Sequence, residues 1–197
     1  MKNLDEQYWN NRYQQQDTGW DIGYPSTPLK EYIDQIRDKN SSILIPGCGN
    51  SYEAEHLLLS GFSNITLIDI APSLTQILEK KYSAYVNKEL TIITGDFFEL
   101  KQSYDLILEQ TFFCALYPSL RKKYVIQMHR LLKSEGELAG VLFNRVFEGG
   151  PPFGGTLNDY LDLFKEHFII ETMEPCYNSI PPRAGQEVFI QLKKKMF

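Results

Sequence analysis

Two glycines and an acid twenty residues on are the residues of this chain best spaced to do chemistry. Ile43-Leu44-Ile45 is a strand-sized apolar run that stops at Pro46 and opens into Gly47-Cys48-Gly49. Glycine at positions 47 and 49 lets the backbone turn sharply and approach a ligand with no Cβ in the way. Asn50 and Ser51 are placed to cap a helix running through Glu53, Ala54, Leu57, Leu58 and Leu59. A second apolar run, Ile65-Thr66-Leu67-Ile68, ends in Asp69, twenty residues past Gly49. Strand, glycine turn, helix, strand and acid outline a βαβ unit that binds a nucleoside. The acid accepts hydrogen bonds from ribose hydroxyls at the carboxyl edge of a parallel sheet.

The dinucleotide fingerprint G-x-G-x-x-G/A asks for a third small residue where helix and strand pack closest, and for a helix start free to hold pyrophosphate. Position 52 is Tyr, so the fingerprint fails there. S-adenosylmethionine (SAM) has no phosphate to hold and suits a looser turn, which favours a methyl donor over NAD. An NAD-linked oxidoreductase and a non-catalytic SAM-binding module stay open as alternatives, because a fold by itself fixes no chemistry.

Such residues need a sheet behind them, and the rest of the chain supplies its elements. Tyr8, Trp9, Arg12 and Tyr13 recur at helical spacing ahead of the first strand, and the stretch from Thr18 to Pro25 is too rich in glycine and proline for regular structure. Thr27 as cap and Pro28 at the first position start a helix whose Leu29, Tyr32, Ile33 and Ile36 share one face. Further helices are expected from Pro72 to Tyr82, Pro118 to Leu132 and Leu157 to His167. Strands are expected at Leu90–Thr94, Tyr104–Glu109, Glu137–Phe143, Phe168–Met173 and Glu187–Leu192. This alternation predicts an α/β fold: a Rossmann-like, doubly wound, mostly parallel seven-stranded sheet with ligands at the strand carboxyl ends. The last two strands have no helix between them and should pair as an antiparallel hairpin. Arg145 to Gly155, with Gly149-Gly150-Pro151-Pro152-Phe153-Gly154-Gly155, is a long irregular connection of the sort that is functional or disordered.

At 197 residues the chain fits one domain, residues 1–197, able to bury a sizeable core. A formal charge of −5 gives no electrostatic reason to bind nucleic acid or an anionic membrane. Apolar runs are strand-sized, and Met1 to Glu6 holds no stretch of signal-peptide length. Cys48, Cys114 and Cys176 are odd in number and widely spaced, which fits a reducing cytoplasm. His56, His129 and His167 show no metal-ligand spacing, so no metal site is expected.

Several short motifs, taken together, carry a resemblance. Trp9, Tyr13, Thr18-Gly19-Trp20-Asp21-Ile22-Gly23 and Thr27-Pro28-Leu29 form an amino-terminal signature. Pro46-Gly47-Cys48-Gly49, Leu67-Ile68-Asp69-Ile70, Gly95-Asp96-Phe97, Phe112-Phe113-Cys114-Ala115-Leu116, Gly149-Gly150-Pro151-Pro152-Phe153 and Pro182-Arg183-Ala184-Gly185 follow in order. The sequence resembles the thiopurine S-methyltransferase superfamily, and within it the branch of halide, thiocyanate and thiol methyltransferases. The resemblance implies a class I SAM-dependent methyltransferase in which Trp9, Tyr13, Trp20, Gly47, Gly49, Asp69, Asp96, Phe97 and Gln110 line the SAM site. Asp69 suits the ribose, and Asp96 with the Phe97 backbone suits the adenine amino group and ring edge. Trp9 and Trp20 offer π-faces to the sulfonium cation, a contact worth about 0.5–2 kcal/mol. The residues 1–26 arm reads as a lid, and residues 145–156 as a substrate-side loop.

On the acceptor side, Arg145 and Arg183 can draw an anion, and Phe143 stands where a substrate-facing tyrosine occurs in that branch. Glu109 at a strand end is the one placed candidate for a general base, but a soft acceptor barely needs one, and Glu109 can instead order the site through hydrogen bonds. Tyr13 and Gln110 likewise replace a tryptophan and a tyrosine common in the branch. Direct methyl transfer needs no enzyme nucleophile, so Cys114 is expected to pack. The acceptor implied is a small soft nucleophile: a thiol, thiocyanate, bisulfide, a halide or a thiopurine. The protein is expected to work as a monomer or weak dimer.

Overall fold

The computed structural model describes residues 3–196. Its sheet has seven strands: β1 (Ile43–Pro46), β2 (Ile65–Asp69), β3 (Leu90–Thr94), β4 (Tyr104–Gln110), β5 (Leu132–Phe143), β6 (Phe168–Pro175) and β7 (Glu187–Lys194). They lie in the order β3-β2-β1-β4-β5-β7-β6. The first five are parallel, and β7 runs antiparallel to both β5 and β6. The sheet is therefore doubly wound, as the alternation of elements predicts, and closes on an antiparallel hairpin. Strand order reverses between β1 and β4, the place where such sheets open a crevice at their carboxyl ends.

Helices cover both faces. Leu29 and Ile33 of α2 (Thr27–Gln35), Ala54 and Leu57 of α3 (Tyr52–Leu59), and Leu74 and Leu78 of α4 (Pro72–Lys81) pack with Ile43, Ile45, Ile65 and Leu67. On the other face, Tyr124 and Met128 of α5 (Arg121–Leu131) and Tyr160 and Phe164 of α6 (Leu157–Phe164) pack with Leu44, Ile107, Leu138 and Val188. Alternate residues of β1 thus enter opposite cores, and β1 is buried throughout.

Local capping departs from the sequence reading. Ser26, not Thr27, is the cap of α2. Ser51 precedes α3 in the left-handed region, φ 56°, and its hydroxyl makes no cap bond. Asn50 turns away to donate to Asp21. The α5 helix begins at Arg121 after a 3₁₀ turn, Pro118–Leu120, and α6 ends at Phe164.

The amino-terminal helix α1 (Glu6–Gln14) lies against α4, where Asn10 Oδ1 accepts the Ser73 N–H at 2.8 Å. That bond supplies the start of α4 with a cap from another element, since Ala71 has no polar side chain to offer. The following segment is tied to the body at Asp21 by Asn50 and Tyr52, at Ser26 by the buried Glu53 carboxylate (2.9 Å), and at the Trp20 carbonyl by Arg183 (3.0 Å). The first two residues of the arm lie outside the described residues.

Candidate active site

The carboxyl ends of β1, β2 and β4 open into a cleft of about 800 Å³. Its floor is the turn after β1. Gly47 and Gly49 adopt φ +54° and +52°, and a Cβ on Gly47 would fall 2.2 Å from Cδ2 of Phe112. Glycine is required there by backbone conformation and by contact at once. Asp69 ends β2 only 6% exposed, with Oδ1 accepting the Ala71 N–H at 3.0 Å and Oδ2 the Gly49 N–H at 3.3 Å. Burial pushes its carboxyl up, opposed by these backbone bonds. An acid held this way costs the fold desolvation energy and presents acceptor lone pairs to the cleft.

Past β3, Asp96 caps a 3₁₀ turn, Phe97–Glu99, its Oδ1 accepting the Phe98 N–H at 2.8 Å. Phe97 is buried and meets Phe112 edge to face, ring centroids 5.1 Å apart. Gln110, at the end of β4, lines the cleft, and its buried Oε1 has no hydrogen-bond partner among the described residues. A buried amide oxygen left unpaired is costly and points to a ligand donor.

Trp9, Tyr13 and Trp20 of the arm complete the wall. Their rings meet edge to face, Trp20 lying 5.6 Å from Trp9 and 5.7 Å from Tyr13 between centroids. Burial, and next the Asp69 charge, push the Tyr13 phenol up. The Arg12 guanidinium sits 4.9 Å over Trp20, so one face of that ring already carries a cation. The sequence reading missed this use of Trp20, although Arg12 lies within the same stripe.

Phe143 and Arg183 also line the cleft, with the guanidinium 5.4 Å over the Phe143 ring. Arg183 faces Glu187 at 3.5 Å, a pair nearly enclosed. Arg145 meets the Gln186 amide and stacks 4.6 Å over Phe147 rather than pairing with a carboxylate. The residues 145–156 connection is anchored by Phe153 N–H to the Cys114 carbonyl (2.7 Å) and by Arg121 to the Gly154 carbonyl (2.7 Å). Cys114 is buried, its thiol donating to the Thr111 carbonyl, and burial pushes that thiol far up.

Glu109 stands apart. Its carboxylate is fully buried beside Tyr124 and does not line the cleft. β4 directs it into the α5 core rather than into the cleft, which leaves it no direct path to act as a general base there. Two of the three histidines lie inside helices and the third beside β6, and none lines the cleft. Among the described residues, no group of three or more His, Cys, Asp or Glu is placed to hold a metal ion.

A nucleoside-sized cleft with a buried acid, a glycine floor and an aromatic wall is matched by the comparisons with known proteins. The profile of the thiopurine S-methyltransferase family covers residues 4–195. The chain belongs to that family. It is 31% identical over 191 residues to "Probable thiol methyltransferase 2" of Arabidopsis thaliana, covering 94% of this chain and 84% of that protein. It is 28% identical over 196 residues to "Thiocyanate methyltransferase 1" of Brassica oleracea, covering 97% and 86%. Among solved structures, a Burkholderia thailandensis 1,6-didemethyltoxoflavin N1-methyltransferase with bound S-adenosylhomocysteine superposes with a TM-score of 0.77 at 16% identity, covering 97% of this chain and 87% of that one. The fold is that of class I SAM-dependent methyltransferases, and the family member described here is a SAM-dependent methyltransferase.

The residues present fit that cofactor. The unpaired Gln110 oxygen and the desolvated Asp69 carboxylate both want donors. Tyr52, where a pyrophosphate-binding turn would need a small residue, is spent on Asp21. No helix is long and apolar enough to cross a membrane among the described residues.

Proposed function

We propose that the methyl acceptor is a small, polarisable nucleophile: a thiol, thiocyanate, bisulfide, a halide or a heterocyclic thiolate of the thiopurine kind. One observation carries this reading: Phe143, Phe147, Leu116 and Pro152 line the cleft, the Arg183 guanidinium lies over the Phe143 ring, and no histidine among the described residues lines it. Apolar walls suit a large, weakly hydrated anion, and Arg183, although it also faces Glu187, presents guanidinium donors to the cleft. A neutral oxygen or nitrogen acceptor must lose a proton, for which a positioned base is worth about 10²–10⁴-fold. At the cleft, Asp21 is taken by Asn50 and Tyr52 and Glu53 by the Ser26 N–H, and Glu109 is out of reach. The names of the relatives, thiol and thiocyanate methyltransferases, support the same class.

When bound, SAM supplies its methyl group on a cationic sulfonium that a soft anion attacks directly. In this reading Asp69 accepts from the ribose hydroxyls, Asp96 and the Phe97 backbone meet the adenine, and the Gln110 amide takes a donor of either ligand. Gly47 and Gly49 let the backbone close on the cofactor, while Trp9, Tyr13 and Trp20 cover it. Arg183 and Phe143 hold the acceptor, and the residues 145–156 loop excludes water beside them, which strengthens each charge interaction inside. The same reading takes the protein as a cytoplasmic monomer or weak dimer without a nucleic-acid partner, in keeping with its −5 charge and three buried free cysteines.

The test is S-adenosylhomocysteine production across thiols, thiocyanate, bisulfide, iodide and thiopurines, beside a catechol and a primary amine. Turnover is expected with the sulfur or halide set. Turnover confined to the catechol or the amine refutes the assignment.

A further inference from the structure

Glu109 is the one fully buried carboxylate of β4, and its three hydrogen bonds all run to groups that offer a hydrogen. Oε1 accepts the N–H of Phe112 at 2.8 Å and of Phe113 at 2.9 Å, while Oε2 accepts the Tyr124 hydroxyl at 2.6 Å. Gly140 faces it from β5, in register, where a Cβ would lie 2.4 Å from its own Cβ. Two features of the site follow from this clamp. Thr111 is held in the left-handed region at φ 59°, a conformation a β-branched residue keeps only when its surroundings impose it. Phe112 is pressed against Gly47 on one side and Phe97 on the other. The cofactor's floor and its adenine-side wall therefore meet through a ring whose backbone is fixed by Glu109.

We propose that Glu109 is a positioning residue whose ionisation sets how well the cofactor cradle is formed. With three donors aimed at it, the carboxylate form satisfies the turn. A proton can enter only at Oε2, since Oε1 already faces two N–H groups. It would turn Tyr124 from donor to acceptor, leave the tyrosine hydrogen without its partner, and reduce both N–H bonds from charge-assisted to neutral. Burial pushes the carboxyl up to about 7, offset by the bonds from Tyr124, Phe113 and Phe112. The titratable groups facing it are Tyr124 from α5 and Cys114 from the turn, both driven up in turn by burial and by the Glu109 charge. β5 brings Gly140, which carries no charge. The exchange between the two forms thus falls within the working range of a cell, and it is independent of which acceptor the enzyme takes.

The test is calorimetric titration of S-adenosylhomocysteine into the full chain between pH 5.5 and pH 8, in the wild type, Glu109→Gln and Tyr124→Phe. At pH 5.5 only about 3% of such a carboxyl is ionised, so full dependence would weaken binding about 30-fold, and about fivefold or more is expected. Glu109→Gln copies the protonated form in shape and hydrogens. Its affinity should change less with pH than the wild type's and stay near the wild type's pH 5.5 level. Tyr124→Phe removes one bond to the carboxylate and should move the wild-type midpoint to higher pH, by about half a unit or more. Asp69 and Glu53, also pushed up by burial, are common to all three proteins and cancel in the comparison. A Glu109→Gln protein that keeps the wild-type pH slope, or a Tyr124→Phe protein with an unmoved midpoint, overturns the proposal.

Discussion

Replacing Asp69 by Asn alters the proposed ribose acceptor while keeping its shape. In the native protein Oδ1 takes the Ala71 N–H and Oδ2 the Gly49 N–H, so the carboxylate faces only donors. An Asn keeps one of these bonds and turns an NH₂ toward the other N–H and toward the ribose. The lost interaction is a hydrogen bond to a charged group, worth about 1.5–3 kcal/mol. Affinity for S-adenosylhomocysteine should therefore fall about 10- to 160-fold. Stability should move the other way or not at all. Burial raises the Asp69 pKa, so its charge is a cost to the ligand-free fold that Asn removes. Calorimetric titration alongside thermal unfolding separates the two effects. A folded Asp69→Asn protein that binds S-adenosylhomocysteine as the wild type does would refute the assignment of Asp69 to the ribose. Equal losses of affinity and of melting temperature would show that the acid serves the turn and not the ligand.

Two further changes probe the same floor and the buried acids. Gly47→Ala combines a left-handed non-glycine residue, about 1–2 kcal/mol, with overpacking against Phe112, about 1–3 kcal/mol, so denaturant unfolding should register a loss of about 2–5 kcal/mol; a loss under half a kcal/mol would mean the ring yields freely. The folded-state pKa of Glu109 is raised from 4.5 to about 7, so its contribution to stability is full below pH 4.5 and is lost as pH rises through 7. That amounts to about 3 kcal/mol at 1.36 kcal/mol per unit. Unfolding free energy of the ligand-free wild type should thus fall from pH 5 to pH 8, and Glu109→Gln should fall less; identical pH dependence in both proteins would contradict the buried-acid account.

The proton that weakens the cradle is therefore the one that favours the fold. The wild type gives up stability near neutral pH to keep a charged clamp behind its cofactor site, the kind of exchange that functional sites make.

Much of this protein is legible along the chain because its signals are local. The βαβ unit from Ile43 to Asp69 announces itself by apolar runs, two glycines and an acid, each of which acts within a turn or two of its own position. Burial of β1 on both faces follows from its unbroken apolar composition, and the antiparallel closing hairpin follows from the lack of a helix between β6 and β7. What the chain could not disclose was direction and partnership. Asn50 is a residue type that caps helices, but Asp21 of the arm takes its side chain. The capping bond for α4 comes instead from Asn10, sixty-three residues away in sequence. Glu109 reads along the chain either as a base or as a group that orders the site through hydrogen bonds, because sequence shows a carboxylate's position on a strand and not which face it enters beyond the last turn. Only the packed structure, with Gly140 beneath it and Tyr124 and two backbone N–H groups around it, makes that carboxylate a clamp. Local chemistry is written in residue order, whereas a buried charge is defined by whatever distant groups must satisfy it.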